Sequence, residues 1–248
     1  MIAIELKSRL GNQFFELAAA HHLAKQRHQD IALVENGSTD YTKYPIILEG
    51  RNIITNTAGF HEIKEDKNQE LLNLAEISKG KENILLKGYF QSDKYFTRED
   101  AEELFPIPDY IKEKYASFNG LCSISIRRGD YLKHQGFVVP SLQWYEHCYH
   151  KYFEGMQVLV TSDDLHWCKN NIKFGNPIFL DADPIETLFA KAMCKNFIIP
   201  PSSFAWWSAY LSGEDSVVVA PSIWFRGALS KINQKDKYVK GWVKEELI

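Results

Sequence analysis

The sequence predicts an α/β fold with a parallel sheet, and two observations carry this prediction. Short apolar runs suited to buried strands recur in the second half, at Cys122–Ile126, Val158–Thr161, Ile178–Leu180, Phe197–Ile199 and Val217–Ala220. Helical patterns separate these runs, at Leu142–Phe153, Asp164–Asn171, Pro184–Cys194 and Phe204–Leu211. Strands that alternate with helices of this length pair in parallel beneath helices on both faces of the sheet.

The first half opens in the same way but is less regular. A strand at Ile2–Leu6 leads through a glycine-containing turn at Ser8–Gly11 into an apolar helix over residues 12–26. The pattern Thr97-Arg-Glu-Asp100 is typical of a capping box and predicts a helix after it. Further strands are expected at 31–34, 52–56 and 84–90, with a helix over 70–78.

A domain boundary is predicted where the helical and strand patterns of the first half stop. Two prolines interrupt the chain in Phe105-Pro-Ile-Pro-Asp109, and a short charged helix follows. A length of 248 residues fits one large domain or two small ones. We therefore expect two domains, over residues 1–115 and 116–248.

Composition excludes several classes of protein. Lys and Arg number 29 against 32 Asp and Glu, a net charge of -3, so nothing favours a nucleic-acid partner. The four cysteines form no C-x-x-C pair, which argues against zinc and thioredoxin chemistry and favours a reduced, cytoplasmic protein. The segment Met1–Leu6 lacks the features of a signal peptide, and the sequence has no run of 18 apolar residues that would be long enough to span a membrane. Asn36-Gly37-Ser38 is interpreted as a turn.

Two adjacent arginines follow the first apolar run of the second half. Parallel sheets bind ligands beyond the carboxyl ends of their strands, so Arg127 and Arg128 lie where a ligand is expected. A guanidinium is costly beside an apolar core unless an anion meets it, and its planar donors suit phosphate oxygens. Gly129 lets the backbone turn beside such a ligand. The alternative is an ion pair with a structural carboxylate such as Asp130.

Two acidic residues and two serines follow later strands. Asp164 is a helix N-cap, which leaves Asp163 spare to accept hydrogen bonds from the two adjacent donors of guanine, a pair that adenine lacks. Ser202 and Ser203 open a helix whose free N–H groups favour phosphate. The alternative for the serines is an ordinary cap above a tryptophan core.

These groups converge on one edge of the predicted sheet, and together they fit a nucleoside diphosphate that carries a transferable group. The sequence has neither a P-loop nor a G-x-G-x-x-G motif, which disfavours kinases, GTPases and dinucleotide enzymes. It also has no Asp-x-Asp facing the phosphates, so a divalent metal is not expected. His147 and His150 lie one helical turn apart but lack a third ligand.

Four segments together resemble glycosyltransferase family 11, the α-1,2-fucosyltransferases. They are 8–15 (SRLGNQFF), 125–131 (SIRRGDY), 162–168 (SDDLHWC) and 194–210 (CKNFIIPPSSFAWWSAY), supported by 86–92 and 220–225. The resemblance implies a GT-B architecture, with two Rossmann-like domains facing across a cleft, an acceptor-side first domain and a GDP-sugar-binding second domain. It further implies inverting transfer of L-fucose from GDP-fucose to O2 of a terminal galactose in a glycan, with no cofactor. Peripheral membrane association and the oligomeric state stay open.

The resemblance also assigns roles to the residues singled out above. Arg127 and Arg128 would hold the pyrophosphate, and Asp163 and Asp164 would contact the guanosine. The phosphates would also be contacted by Ser202, Ser203 and Phe204. A turn formed by Gly11, Asn12 and Gln13 would approach the donor from across the cleft. The alternative for that turn is a helix start packed on its own strand.

Two departures from the family pattern affect the catalytic assignment. Ser125 stands where the family's arginine motif begins with His, and Pro200-Pro201 replaces Ala-Asn before the serines. The base for the acceptor hydroxyl is open between Asp130, His134, Glu16 and the departing phosphate, and Asp130 could instead orient the arginines. A transferase for another GDP-linked sugar and a non-catalytic carbohydrate-binding protein are the rival interpretations.

Overall fold

The computed structural model describes residues 1–35 and 44–248, so the turn predicted at Asn36-Gly37-Ser38 lies outside the described residues. The chain divides into two compact units. Unit 1 comprises Met1–Pro106 and Lys231–Val239, and unit 2 comprises Ile107–Ser230 and Lys240–Ile248.

This division differs from the sequence boundary after residue 115 in two respects. The helix Asp109–Lys114 packs on a helix of unit 2, where Lys114 Nζ and Tyr115 Oη lie 2.5 and 2.6 Å from Glu186 Oε1. A second difference is that 231–239 returns to unit 1, a long-range packing that no local pattern predicts.

Unit 1 is built on a parallel sheet of five strands, in the order β3-β2-β1-β5-β4. The strands are β1 (Ile2–Ile4), β2 (Ile31–Val34), β3 (Asn52–Ile54), β4 (His61–Lys64) and β5 (Ile84–Lys87). The helices are α1 (Leu10–Arg27), α2 (Pro45–Leu48), α3 (Leu74–Ile77) and α4 (Arg98–Leu104). The capping box predicted at Thr97 and Asp100 is confirmed at the start of α4. Strand β4 was not predicted because its sequence, HEIK, alternates too briefly to be distinguished from a polar loop.

Helix α1 begins at Leu10, two residues before the predicted start. Gly11 and Gln13 therefore lie in its first turn rather than in a loop, and the turn predicted over Ser8–Gly11 is confined to Ser8 and Arg9. The chain enters the helix through Ser8, whose φ is 62°, and Gln13 Nε2 donates to the Ser8 carbonyl at 3.0 Å. The helix starts early because a buried side chain of its own first turn ties down the preceding loop.

Unit 2 contains a parallel sheet of six strands and five helices. The strands are β6 (Cys122–Ile126), β7 (Val158–Ser162), β8 (Ile178–Phe179), β9 (Asn196–Ile198), β10 (Val217–Pro221) and β11 (Val243–Glu245). The helices are α5 (Asp109–Lys114), α6 (Leu142–Tyr152), α7 (Leu165–Asn171), α8 (Pro184–Ala192) and α9 (Ser203–Leu211). The predicted α/β architecture with parallel sheets is confirmed.

The strand order of unit 2 fixes where its ligand site should lie. The order β11-β10-β9-β6-β7-β8 is that of the Rossmann fold, in which the first and fourth strands of the unit, here β6 and β9, are neighbours. The direction of winding reverses between these two strands, and ligands bind beyond the carboxyl ends of the strands at such a point. The loops after β6, β7 and β9 therefore surround the expected site.

All four cysteines are buried and free, and Cys122, Cys148 and Cys168 contribute to the aromatic and aliphatic core of unit 2. Among the described residues, no helix has the length and apolar character needed to cross a bilayer.

One buried lysine is an exception in this core. Lys191 of α8 has no exposed surface, and its Nζ makes no hydrogen bond within the part of the chain that the structure describes. The ring centroid of Phe204 lies 5.0 Å from its Nζ. Burial lowers the pKa of this amine to about 7, against a small opposing effect of Cys194. A protonated Lys191 is therefore a cost to the folded state.

We expect Lys191→Met to stabilise the protein. Burial disfavours protonated Lys191 in the folded state, whereas the unfolded chain keeps this amine protonated until about pH 10. The free energy of unfolding of the wild type should therefore be lowest below pH 7 and should rise between pH 7 and pH 10. At pH 7 the variant should gain on the order of 3 kcal/mol, measured by denaturant unfolding, and the rise between pH 7 and 10 should shrink. Lys169→Met, on the exposed face of α7, is the control and should change stability by less than about 0.5 kcal/mol. A Lys191→Met variant less stable than the wild type would contradict the conclusion that the buried ammonium destabilises the folded state.

Candidate functional site

The loops after β6 and β7 are joined by ion pairs at the carboxyl edge of the unit 2 sheet. Arg127 Nη1 lies 2.9 Å from Asp163 Oδ2, and Arg127 Nη2 pairs with Asp130 Oδ1. Arg128 Nε lies 3.1 Å from Asp164 Oδ2, and the Arg128 backbone N–H donates to Asp163 Oδ1 at 2.9 Å. The structure thus brings all five of these predicted site residues together.

The two arginines differ in what they leave for a ligand. Both η nitrogens of Arg127 are engaged by carboxylates. Arg128 uses its Nε for Asp164, and its guanidinium stacks 3.9 Å above the Trp167 ring. Within the described residues its two η nitrogens make no hydrogen bond. Arg128 therefore presents an open pair of parallel donors, the edge that binds carboxylate or phosphate oxygens bidentately.

The two aspartates are more occupied than the sequence suggested. Asp164 caps α7 as predicted, with Oδ1 accepting from the Trp167 N–H at 3.1 Å. This hydrogen bond, followed by the ion pair with Arg128, lowers the pKa of Asp164. The expectation that Asp163 is spare is wrong, because one of its oxygens accepts from Arg128 and the other pairs with Arg127. Each oxygen retains a second lone pair.

Gly129 is the point of closest approach between these two loops. A Cβ built on it would collide with Asp163 Oδ2. The glycine is therefore required for the Asp163 carboxylate to reach both arginines, beyond the turn that the sequence suggested.

A cavity of about 300 Å³ opens beside Arg128, at the lower end of the range for small-molecule sites. Its lining residues are Ile126, Arg128, Tyr131, Leu132, Val139, Pro140, Ser141, Leu142, Tyr145, Trp167 and Arg226. The hydroxyl of Tyr145 is buried and has no hydrogen-bond partner in the described chain, and burial raises its pKa well above the ordinary value.

The sequence did not identify Arg226. Its Nε donates to the Gln135 carbonyl at 3.1 Å and its backbone N–H to the Gly136 carbonyl at 2.9 Å. An antiparallel bridge between Phe137 and Phe225 holds the two segments together. Among the described residues no carboxylate pairs with Arg226. Its place just after the apolar segment that follows β10 is the signal that could have found it.

Ser202, Ser203 and Phe204 lie at the start of α9, after β9. Ser202 is the N-cap, and its hydroxyl accepts from the Ala205 N–H at 3.5 Å. All three are partly exposed, and none lines the cavity beside Arg128. Ser202 caps α9 at an edge of the sheet shared with the arginines, and phosphate binding at this helix start stays a prediction.

The candidate bases have different surroundings. Asp130 is exposed but paired with Arg127, which fits the orienting role. His134 Nδ1 accepts from the Gly136 N–H at 3.1 Å, so the neutral ring carries its proton on Nε2 and cannot accept another there. Glu16 is fully buried with Oε2 accepting from the Lys7 N–H at 2.8 Å, and burial raises its pKa well above the ordinary value. Ser125, at the family His position, is buried without a hydrogen-bond partner in the described chain.

In unit 1, Asn12 lies in the first turn of α1, where it follows β1, and is half-buried. Its Oδ1 accepts from Gln91 Nε2 at 2.7 Å. Gly11, also expected to meet the donor, is buried within the same turn. The alternative of a helix start packed on its own strand describes Gly11 well, whereas the side chain of Asn12 reaches the loop after β5.

Each of the two histidines of α6 lies beside a different carboxylate. His147 Nε2 lies 3.0 Å from Glu245 Oε1, and His150 Nδ1 lies 3.1 Å from Glu154 Oε1. Elsewhere in the described chain, His21, Asp100 and Glu103 come within reach of one another. Lys25 Nζ lies 2.8 Å from Asp100 and 2.7 Å from Glu103, so an ammonium already supplies the positive charge there.

Comparisons with known proteins identify the family of this chain. Residues 1–246 match the model of glycosyl transferase family 11. The chain is 26% identical over 298 aligned positions to an alpha-1,2-colitosyltransferase of Escherichia coli, covering 99% of both chains. It is 23% identical to the galactoside 2-alpha-L-fucosyltransferase SEC1 of Bos taurus, covering 89% of this chain and 67% of the relative.

Solved structures of the fucosyltransferase NodZ from Bradyrhizobium are similar in fold. One matches with a TM-score of 0.53 at 13% identity, covering 84% of this chain and 92% of NodZ. A NodZ structure soaked with GDP-fucose matches with the same TM-score. With its two Rossmann-like units, the fold is of the GT-B class, as predicted. The protein belongs to glycosyltransferase family 11.

Proposed function

We propose that the protein transfers L-fucose from GDP-fucose, with inversion, to O2 of a terminal galactose in a glycan. The observation that carries this proposal is the open guanidinium edge of Arg128 at the switch point of the unit 2 sheet. It lies beside a small cavity that also contains Arg226. Within the described residues the η nitrogens of Arg128 and Arg226 make no hydrogen bond, and two such open guanidinium edges in one cavity suit the two negatively charged phosphates of a nucleoside diphosphate.

The open η nitrogens favour Arg128 and Arg226 over Arg127 as the phosphate-binding residues, although Arg128 also pairs with Asp164 through Nε. Arg127 is neutralised by Asp130 and Asp163. When GDP departs, negative charge grows on the β-phosphate, and donors fixed in advance stabilise it most effectively. The stacking of Arg128 on Trp167 fixes its donors before the substrate arrives. We infer that these groups replace a divalent metal, and that turnover persists in excess EDTA.

Guanosine recognition by Asp163 or Asp164 is part of the proposal. Their second lone pairs could accept from guanine while the arginine contacts are kept. Ser202, Ser203 and Phe204 would contribute the positive end of α9 to the phosphates. Asp130 would orient Arg127, and the departing phosphate is then the simplest base for the acceptor hydroxyl.

Transfer of another GDP-linked sugar is the second candidate. The relative named as a colitosyltransferase aligns with nearly the whole chain, and the phosphate contacts proposed here do not read the sugar. A comparison of GDP-fucose with other GDP-sugars, against galactosides with a terminal β-galactose, separates the two. The non-catalytic alternative predicts binding without release of GDP from any donor.

Arg128→Lys should fold but lose about 10²–10³-fold in kcat, the usual cost of removing one preorganised donor. The lysine keeps the charge but loses both the parallel donors and the stack on Trp167. The loss is measured as GDP release from GDP-fucose in the presence of a galactoside. Arg127→Lys should be less damaging, because Arg127 faces carboxylates. Near-normal kcat and KM in Arg128→Lys would show that this arginine is structural.

Gly129→Ala should weaken GDP binding at least tenfold while the fold is kept. The new methyl group displaces Asp163, which releases the Arg128 backbone and moves the loop that carries its guanidinium. Calorimetry measures the affinity and circular dichroism the fold. Gly120→Ala is the matched control, since its Cβ would meet nothing within 4 Å, and its affinity should stay within about twofold of wild type. Equal affinities for the two variants would contradict the role of Gly129.

A further inference from the structure

The sheet of unit 1 has a switch point of its own, where β1 lies beside β5. Asn12 follows β1 and Gln91 follows β5, and the 2.7 Å hydrogen bond from Gln91 Nε2 to Asn12 Oδ1 joins the two loops. The carboxyl edge at a switch point is where open parallel sheets bind ligands. Two amide side chains therefore meet where unit 1 would present groups to a substrate.

A buried lysine determines which way these amides face. Lys237 comes from the segment 231–239 and is 4% exposed. Its Nζ donates to Gln69 Oε1 at 2.8 Å and to Gln91 Oε1 at 3.0 Å. An ammonium has no lone pair and can only donate, so each glutamine must turn its oxygen towards Lys237.

The orientation passes from Gln91 to Asn12. Because Gln91 Oε1 accepts from Lys237, Gln91 can only donate to Asn12 through its NH₂ group. Asn12 must therefore accept this hydrogen bond through Oδ1. The NH₂ group of Asn12 then faces away from Gln91, and it makes no hydrogen bond within residues 1–35 and 44–248. Lys237 thus decides that the outward group of Asn12 is a donor rather than an acceptor.

The surroundings of Lys237 show that the ammonium is held at a cost. Burial lowers the pKa of Lys237 to about 8, against the opposing charges of Glu65 and Asp236. Glu65 is itself buried and accepts from the Tyr89 and Phe90 N–H groups, which tie it to the loop carrying Gln91. Charged groups buried around one amide pair fit a requirement for a fixed orientation.

We propose that Lys237 is a positioning residue that, through Gln91, turns the Asn12 amide so that its NH₂ group donates to an oxygen of the bound sugar substrate. This inference rests on the proposed glycosyl transfer and names the polarity of a contact that unit 1 makes in it.

Gln91→Glu tests the polarity with little change in shape. A carboxylate still accepts from Lys237, but it offers Asn12 an acceptor, so the Asn12 amide must reverse and present its oxygen outward. We expect kcat/KM for fucosyl transfer to fall at least tenfold, with a thermal midpoint no lower than that of wild type. Gln69→Glu is the matched control: it gives Lys237 the same new charge without touching Asn12, and should stay within about threefold of wild type. A folded Gln91→Glu with wild-type turnover, or an equal loss in both variants, overturns the proposal.

A second readout does not depend on activity. In the unliganded protein, the side-chain NH₂ of Asn12 should exchange its protons with water faster than that of Gln91, as measured by ¹H–¹⁵N NMR. In Gln91→Glu the Asn12 exchange should slow severalfold, because the reversed amide now donates to Glu. If GDP-sugars give no turnover in wild type, the proposed function fails while this exchange still tests the orientation. Unchanged Asn12 exchange overturns the orientation.

The variant Lys237→Met tests the same orientation if Gln91→Glu does not fold. Without the ammonium either glutamine orientation is allowed, so the Asn12 exchange rate should shift towards that of a bonded amide and turnover should fall. Lys237→Arg, which keeps a donor, should restore both in part. An Asn12 exchange rate that is the same in all three proteins overturns the proposal.

Discussion

The pairing of Asp163 and Asp164 with Arg127 and Arg128 is the interaction on which the candidate site depends. Parallel neighbours β6 and β7 bring their carboxyl ends together, and the ion pairs lock the two following loops into one surface. The carboxylates engage Nε of Arg128 and the η nitrogens of Arg127, so of these two arginines Arg128 is the one whose η nitrogens stay open within the described residues. In the proposed function, the same contacts that hold the loops leave Arg128 as the arginine of this pair that meets a ligand.

The two units place different kinds of polar side chain at equivalent positions of their sheets. Each places its polar side chains at the switch point of a parallel sheet, where the loops diverge and leave room for a ligand. Unit 2 uses fixed charges, which suit a diphosphate. In unit 1 the buried Lys237 ammonium donates to Gln91, which donates to Asn12, and we propose that this sets the direction of an amide that meets a sugar oxygen.

The sequence predicted five of the six strands of unit 2, missing only β11, because buried strands are continuous apolar runs. It also predicted that the polar residues after β6 and β7 gather at one edge of the sheet. It could not predict the partners within the cluster. Asp163 was expected to be spare, since its contacts depend on the register of β6 on β7 and on the absence of a Cβ at Gly129. Arg226 and Lys237 were missed because loops distant in sequence bring them to their sites.

A calorimetric titration of the wild-type protein with GDP and with guanosine tests the central claim most directly. The open donors of Arg128 and Arg226 should hold the diphosphate, so GDP should bind at least a hundredfold more tightly than guanosine, about 2.7 kcal/mol. Equal affinity for the two would show that the guanidinium groups do not bind phosphate, and would contradict the account of this site.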